Sequence, residues 1–239
     1  MKNSNYCILL TATLTPGNVP YLLRTDLSQR ENDYVKAVRQ WLSHGVSLIF
    51  VENSNTRSEK IIALLNQTDN NEYITFQSTE STLGKGNGEM EIIRYSLQHS
   101  KILPHIDTII KVTGRHYITN LDPLLKCFAH QNAYVMGWFK EKLTLADSRL
   151  VIANKSFYTI NLLPLSKCID ETNGIYFEHI FARAIHSAMA EGKCWCLPSE
   201  APKFIGVSGS ENLPYRNDIF RLLKRNTILT LMKVLLAFK

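Results

Sequence analysis

Leu83-Gly84-Lys85-Gly86-Asn87-Gly88-Glu89 and, about twenty residues later, Asp107-Thr108-Ile109-Ile110-Lys111-Val112-Thr113-Gly114-Arg115 decide how this chain is read. The first stretch is a glycine- and lysine-rich loop that opens a helix, expected from Glu89 to about Gln98. The second is a short strand, Thr108 to Val112, rich in β-branched residues and running into a lysine and an arginine. Loop, helix, strand and terminal cations, in that order, form one βα unit with chemistry at its carboxyl end.

The same alternation extends outward. Upstream, Tyr6 to Ala12 reads as a buried first strand that stops at Thr15-Pro16-Gly17-Asn18. Asp33 to Leu42 places Tyr34, Val35, Val38, Trp41 and Leu42 at helical spacing. Val46 to Val51 is a second strand ending at Glu52-Asn53-Ser54-Asn55, Ser58 to Leu65 a second helix, and Tyr73 to Phe76 a third short strand. Beyond Asn120 the pattern is mixed. A helix near Pro123 to Ala129, strands near Tyr134 to Phe139 and Ser148 to Ala153, and a helix over Phe177 to Ala190 are expected. The fold class is therefore α/β: a Rossmann-type mixed sheet flanked by helices, with a nucleotide-sized crevice at the carboxyl ends of its strands.

At 239 residues the chain suits one compact domain, or one domain with a small appendage. No apolar run reaches the roughly 18 residues of a membrane span, and Met1 to Asn5 leads straight into the first strand, so no secretory leader is expected. Cys7, Cys127, Cys168, Cys194 and Cys196 are scattered, and Cys194-Trp195-Cys196 has no second pair at zinc-site spacing. Reduced thiols in a cytoplasmic protein are the expectation.

The net charge of +6 is concentrated at one end. Residues 216–239 hold Arg216, Arg221, Lys224, Arg225, Lys233 and Lys239 against Asp218 alone, or 6 − 1 = +5. That placement argues against a nucleic-acid partner, whose binding surface spreads cations along a groove among aromatics. Ile219, Phe220, Leu222, Leu223, Ile228, Leu229 and Leu231 lie among those cations. The division expected is a domain over residues 1–215 and a basic amphipathic tail over 216–239. The tail reads either as a helix on an anionic membrane surface or as one docked on the domain or on a second subunit.

Several residues are placed for chemistry. Thr11, Thr13 and Thr15 lie where the first strand ends, and Glu52 and Asn53 close the second. These two ends face one crevice and suit the base and ribose of a nucleotide, although turn chemistry explains the same residue types. Gly84 to Gly88 lets backbone approach a ligand ahead of a helix start, with Lys85 adding charge for a phosphate; a flexible surface loop is the ordinary alternative. Lys111 and Thr113 point to one side of their strand, and Gly114 suits a sharp exit that brings Arg115 over the crevice. Two such cations stabilise a departing phosphate as a divalent metal does elsewhere, if they are not merely solvated. Glu178 and His179 open the Phe177 helix, where either can take a proton from an acceptor hydroxyl; an acidic residue also simply favours a helix start.

Taken together these segments resemble the GT-A class of glycosyltransferases, especially the small bacterial enzymes that build capsule and lipopolysaccharide sugars. The resemblance spans roughly residues 6 to 190. It rests on the Thr-rich first strand end, Val51-Glu52-Asn53-Ser54, Leu83-Gly84-Lys85-Gly86, Ile109 to Tyr117, and Tyr176-Phe177-Glu178-His179. It implies that Thr11, Thr13 and Glu52 contact the donor nucleotide and that Glu178 is the base of an inverting enzyme. Where the class usually carries Asp-x-Asp, this chain reads Lys111-Val112-Thr113-Gly114-Arg115, and no such triplet occurs anywhere. No divalent metal is expected for that reason. The donor stays open among CMP-, UDP- and GDP-linked sugars. The acceptor implied is a hydroxyl of a glycan or glycolipid precursor, met by a cytoplasmic enzyme peripheral on the inner face of the membrane. Two alternatives stand. A sugar nucleotidyltransferase would carry a Gly-rich, Arg-containing loop after its first strand, of which Thr13-Leu14-Thr15-Pro16-Gly17 is a poor version. A catalytically silent glycosyltransferase-like binding subunit would also lack Asp-x-Asp.

Overall fold

Four parallel strands frame the molecule: Tyr6–Ala12 (β1), Ser47–Glu52 (β2), Asn71–Thr75 (β3) and Thr108–Thr113 (β4). The computed structural model describes residues 5–17, 22–209 and 211–237. Side chains alternate across each strand, so the buried runs divide between two layers. Cys7, Leu9, Ile49, Val51 and Ile109 enter one core, and Ile8, Leu10, Leu48, Phe50, Ile110 and Val112 enter the other. Continuous apolar runs are what a sheet covered on both faces demands.

The later strands are short: Tyr117–Ile118 (β5), Val135–Met136 (β6), Phe139–Lys140 (β7), Leu145–Ala146 (β8), Leu150–Asn154 (β9), Trp195–Cys196 (β10) and Phe204–Ile205 (β11). Among the described residues, seven strands form the central sheet in the order β10-β6-β9-β4-β1-β2-β3. β9 runs antiparallel to both of its neighbours, β4 and β6. The expected strand from Tyr134 to Phe139 is instead two, β6 and β7, which belong to different sheets. The break falls at Gly137, whose missing side chain makes room for the Ile185 methyl group.

The α-helices are Leu27–Leu42 (α1), Glu59–Leu65 (α2), Lys85–His99 (α3), Leu121–His130 (α4), Phe177–Ala190 (α5) and Ile219–Ala237 (α6). α1 starts six residues ahead of the expected Asp33, because the Asp26 carboxylate caps it by accepting from the Gln29 amide. That first turn is polar, so apolar spacing does not mark it. α3 starts four residues ahead of the expected Glu89. The glycine-rich stretch is thus the first turn of the helix itself. A side chain at Gly86 would press on Phe177 of α5, so the glycine sets how closely the two helices approach.

The tail forms a helix that packs on the domain along one side. Leu229 is 1% exposed and packs with Trp138, Leu197, Ala201 and Met232. Asn226 Oδ1 accepts from the Ala201 amide at 2.7 Å, and the Arg225 guanidinium lies 5.2 Å from the Trp138 ring centre. On the remaining surface Ile219, Phe220, Leu223, Leu231, Leu235 and Leu236 are exposed. No helix of the described residues is long and apolar enough to cross a membrane.

Candidate active site

The exits of β1, β2 and β4 meet the starts of α3, α5 and β9 around a cavity of about 570 Å³. Thr11, Thr13, Asn53, Lys85, Thr113, Arg115 and Glu178 all line it. Register explains much of this convergence, since Thr11 lies level with Val51 on β2 and with Thr113 on β4.

Thr11 Oγ1 donates to Glu89 Oε1 at 3.2 Å, and Thr13 Oγ1 donates to Asn53 Oδ1 at 2.6 Å. Arg30 is 2% exposed and donates through Nε to the Thr13 carbonyl at 2.8 Å, which pins the β1 exit. Glu52 is placed differently from the expectation of a nucleotide contact. It is fully buried and accepts from the Leu14, Ser54 and Thr56 amides and from the Ser54 and Thr75 hydroxyls. Five donors occupy both oxygens, so Glu52 fastens the β1 and β2 exits together and presents nothing to a ligand.

Lys111 also lies behind the cavity wall rather than in it. Its side chain is 0% exposed, pairs with Glu89 and donates to the Ser148 carbonyl at 2.8 Å. Lys111 and Thr113 do share a strand face, but Lys111 sits one pleat deeper. Arg115 reaches the cavity, with Nε donating to the Val207 carbonyl at 3.4 Å. Lys85 reaches it too. Burial, with Arg115 and Arg30 adding to it, lowers the Lys85 pKa against the pull of Glu171 and Glu178. The helix start beside Lys85 already holds a carboxylate: the Gly86 amide donates to Glu171 Oε1 at 2.5 Å. A side chain at Gly84, where φ is 150°, would collide with that carboxylate.

The two residues proposed as bases separate cleanly. Glu178 faces the cavity from the first turn of α5 and accepts from Ser148 Oγ at 2.7 Å. His179 stands outside it. Its Nδ1 accepts from the Tyr176 amide at 3.1 Å and its ring stacks on the Tyr176 ring, so it closes the helix start.

Several lining residues carry no sequence expectation, Glu89, Ser148, Arg149 and His116 among them. Glu89 ends the glycine stretch but its role was not legible there. Ser148 and Arg149 precede β9, and their place at the crevice depends on that strand running backwards. Arg149 forms a two-pronged pair with Asp147, at 2.9 and 2.5 Å, and its guanidinium lies 4.3 Å from the Phe204 ring centre. Arg149 and Lys140 together hold the Asp147 carboxyl far below the usual range despite its burial. His116 also lines the cavity, 2% exposed and edge-on to Tyr215. Burial, Arg115 and Arg149 keep its imidazole neutral, well below the ordinary pKa of 6.5.

Among the described residues no three His, Cys, Asp or Glu side chains gather to hold a metal ion. Near the β4 exit Glu89 pairs with Lys111 and Asp147 with Arg149.

Topology and crevice together settle the architecture. The fold is GT-A-like. The inositol-1-phosphate CTP transferase from T. maritima superposes with a TM-score of 0.51 at 13% identity, over 93% of this chain and 96% of that one. Core-mannan synthase A (CmsA/Ktr4) from Aspergillus fumigatus, in an Mn/GDP form, gives 0.48 at 9% identity, over 97% and 85%. The galactosyltransferase LgtC, in complex with donor and acceptor sugar analogs, gives 0.48 at 8%, over 80% and 73%. At 13% identity the likeness to the CTP transferase is one of fold. No protein-family model matches the sequence, and no curated protein matches it by sequence.

Proposed function

We propose that the protein is a glycosyltransferase that moves a sugar from a nucleotide-sugar donor to a hydroxyl of a surface-glycan precursor, with inversion and without a metal. The observation that carries this is Glu178: a carboxylate facing the same cavity as Arg115, Arg149 and the hydroxyl-lined strand exits, held there by Ser148. The acceptor oxygen attacks the anomeric carbon as its bond to the nucleotide phosphate breaks. Glu178 takes the acceptor proton, and Arg115 faces the charge that grows on the leaving phosphate. Lys111 serves from behind by fixing Glu89 and the Ser148 backbone.

Thermal-shift screening over CMP, UDP, GDP and dTDP identifies the nucleotide. Transfer is then followed as release of that nucleotide, in EDTA. Glu178→Gln is expected to lower turnover by roughly 10³-fold, within the range for a general base, while nucleotide affinity holds. Turnover unchanged by Glu178→Gln ends the assignment. Release of pyrophosphate from a nucleoside triphosphate and a sugar phosphate would support the nucleotidyltransferase alternative instead.

We also propose that the enzyme is cytoplasmic and rests on the inner membrane face through α6. The exposed apolar residues of α6 alternate with Arg221 and Lys224, a pairing that suits anionic lipid. Flotation with phosphatidylserine vesicles is expected for the full chain and lost on deleting residues 216–239. Equal flotation of both forms removes the membrane from this reading.

A further inference from the structure

We infer that Glu89 is a donor-recognition residue whose open carboxylate oxygen accepts hydrogen bonds from hydroxyls of the nucleotide sugar. The inference rests on the transferase reading and names a contact that this reading does not require.

Glu89 Oε1 is engaged twice, by the Thr11 hydroxyl at 3.2 Å and by the Lys111 ammonium. Among the described residues Oε2 has no hydrogen-bond partner, and the side chain, 21% exposed, lines the cavity. An ionised carboxylate has only acceptor sites, so whatever lies opposite Oε2 must donate. Phosphate oxygens cannot do so, and they have Lys85, Arg115 and Arg149 elsewhere on the same wall. Neutral side chains also line the cavity, among them Asn53, Ser78, Ser81 and Thr11, the last of which touches Glu89. The ligand group that fits is therefore a hydroxyl, or an adjacent pair of them. Lys111 makes the arrangement rigid. A wholly buried ammonium is costly without a partner, so it holds Glu89 in one orientation. Here a buried ion pair sets the direction of the one oxygen left to the ligand.

Hydroxyls of this kind occur on both the transferred sugar and the ribose, and the test separates them. Glu89→Gln combined with Lys111→Met removes both charges and leaves no buried ammonium unmatched. Glu89→Asp, which keeps both charges and withdraws the carboxylate by one methylene, serves if the double variant loses its thermal transition. Calorimetric affinities are measured for UDP, 2′-deoxy-UDP and UDP-galactose, and for the corresponding CMP and GDP compounds. Contact with the sugar lowers affinity for the nucleotide sugar by roughly 10- to 100-fold while the free nucleotide binds as before. Contact with the ribose lowers affinity for the ribonucleotide by that factor and leaves the 2′-deoxy compound unchanged. Wild-type affinity for every compound in a folded variant overturns the inference and makes Glu89 a structural partner of Lys111. Failure of the unaltered protein to bind any of these compounds is a different result. It overturns the transferase reading, and this inference with it.

Discussion

At the β1–β2 end of the crevice, Glu52 is wholly buried and five donors occupy both of its oxygens. At the α3–β4 end, Glu89 gives one oxygen to Thr11 and Lys111 and turns the other to the cavity. Residue type does not distinguish these two carboxylates. What distinguishes them is how many donors each already holds. The first end is a joint that keeps two loops in register, and the second leaves a carboxylate oxygen turned to the cavity.

Replacing Glu52 with alanine should have the largest effect. Five donors at the joint lose their acceptor, and a loss of about 3 kcal/mol or more is expected in urea unfolding. A loss below about 1 kcal/mol would show that water replaces the carboxylate readily, and the contrast between the two ends would disappear. Arg115→Ala tests the ligand end. Turnover should fall by roughly 10²-fold, close to 2.7 kcal/mol, as for removal of one charge-stabilising donor. A change confined to KM would mean that Arg115 only holds the ground state.

Glu171→Ala gives a smaller effect of opposite sign. The Glu171 carboxylate occupies the start of α3 beside Lys85, where an anionic donor would compete with it. Its removal should tighten donor binding by roughly 5-fold, on the scale of a charge at a helix terminus. Weaker binding would place the phosphate away from that helix start. The smallest effect concerns His116. Its folded pKa lies below that of a free imidazole, so the unfolded chain binds the extra proton. Stability is complete above about pH 6.5 and declines as pH falls through that value toward the folded pKa. His116→Leu should flatten that part of the stability profile, read as the unfolding midpoint against pH. An unchanged slope would assign the decline to another group.

Much of the fold was legible because burial on both faces writes itself as unbroken apolar runs, as in Ile8 to Leu10 and Leu48 to Val51. The α1 start was not, since the Asp26 cap precedes a turn with little apolar content. The glycine stretch misled about where α3 begins. Glycine is a poor helix former, and close neighbours explain its presence in this first turn: Glu171 and Phe177 crowd Gly86, and Ser81 and Asn53 crowd Gly88. Thr11, Thr13, Asn53, Lys85, Thr113, Arg115 and Glu178, picked out by their places at element ends, line the cavity. Glu52, Lys111 and His179 met the same criterion, yet they face inward or cap a helix. Sequence position gives proximity to a crevice and does not say which partners a side chain has already taken.

The reversed direction of β9 bears on where this protein can change. The parallel strands β1, β2 and β4 deliver to the crevice the residues that follow them, while β9 delivers those that lead into it, Asp147 to Arg149. Its far end meets the lower rim at Asn154, where Lys155 bonds back to Leu103 and Asp107. Variation in chain length around Asn154 is thus buffered from the reacting groups by the whole height of the sheet. A single residue inserted ahead of Leu150 would shift Ser148 out of step with Glu178.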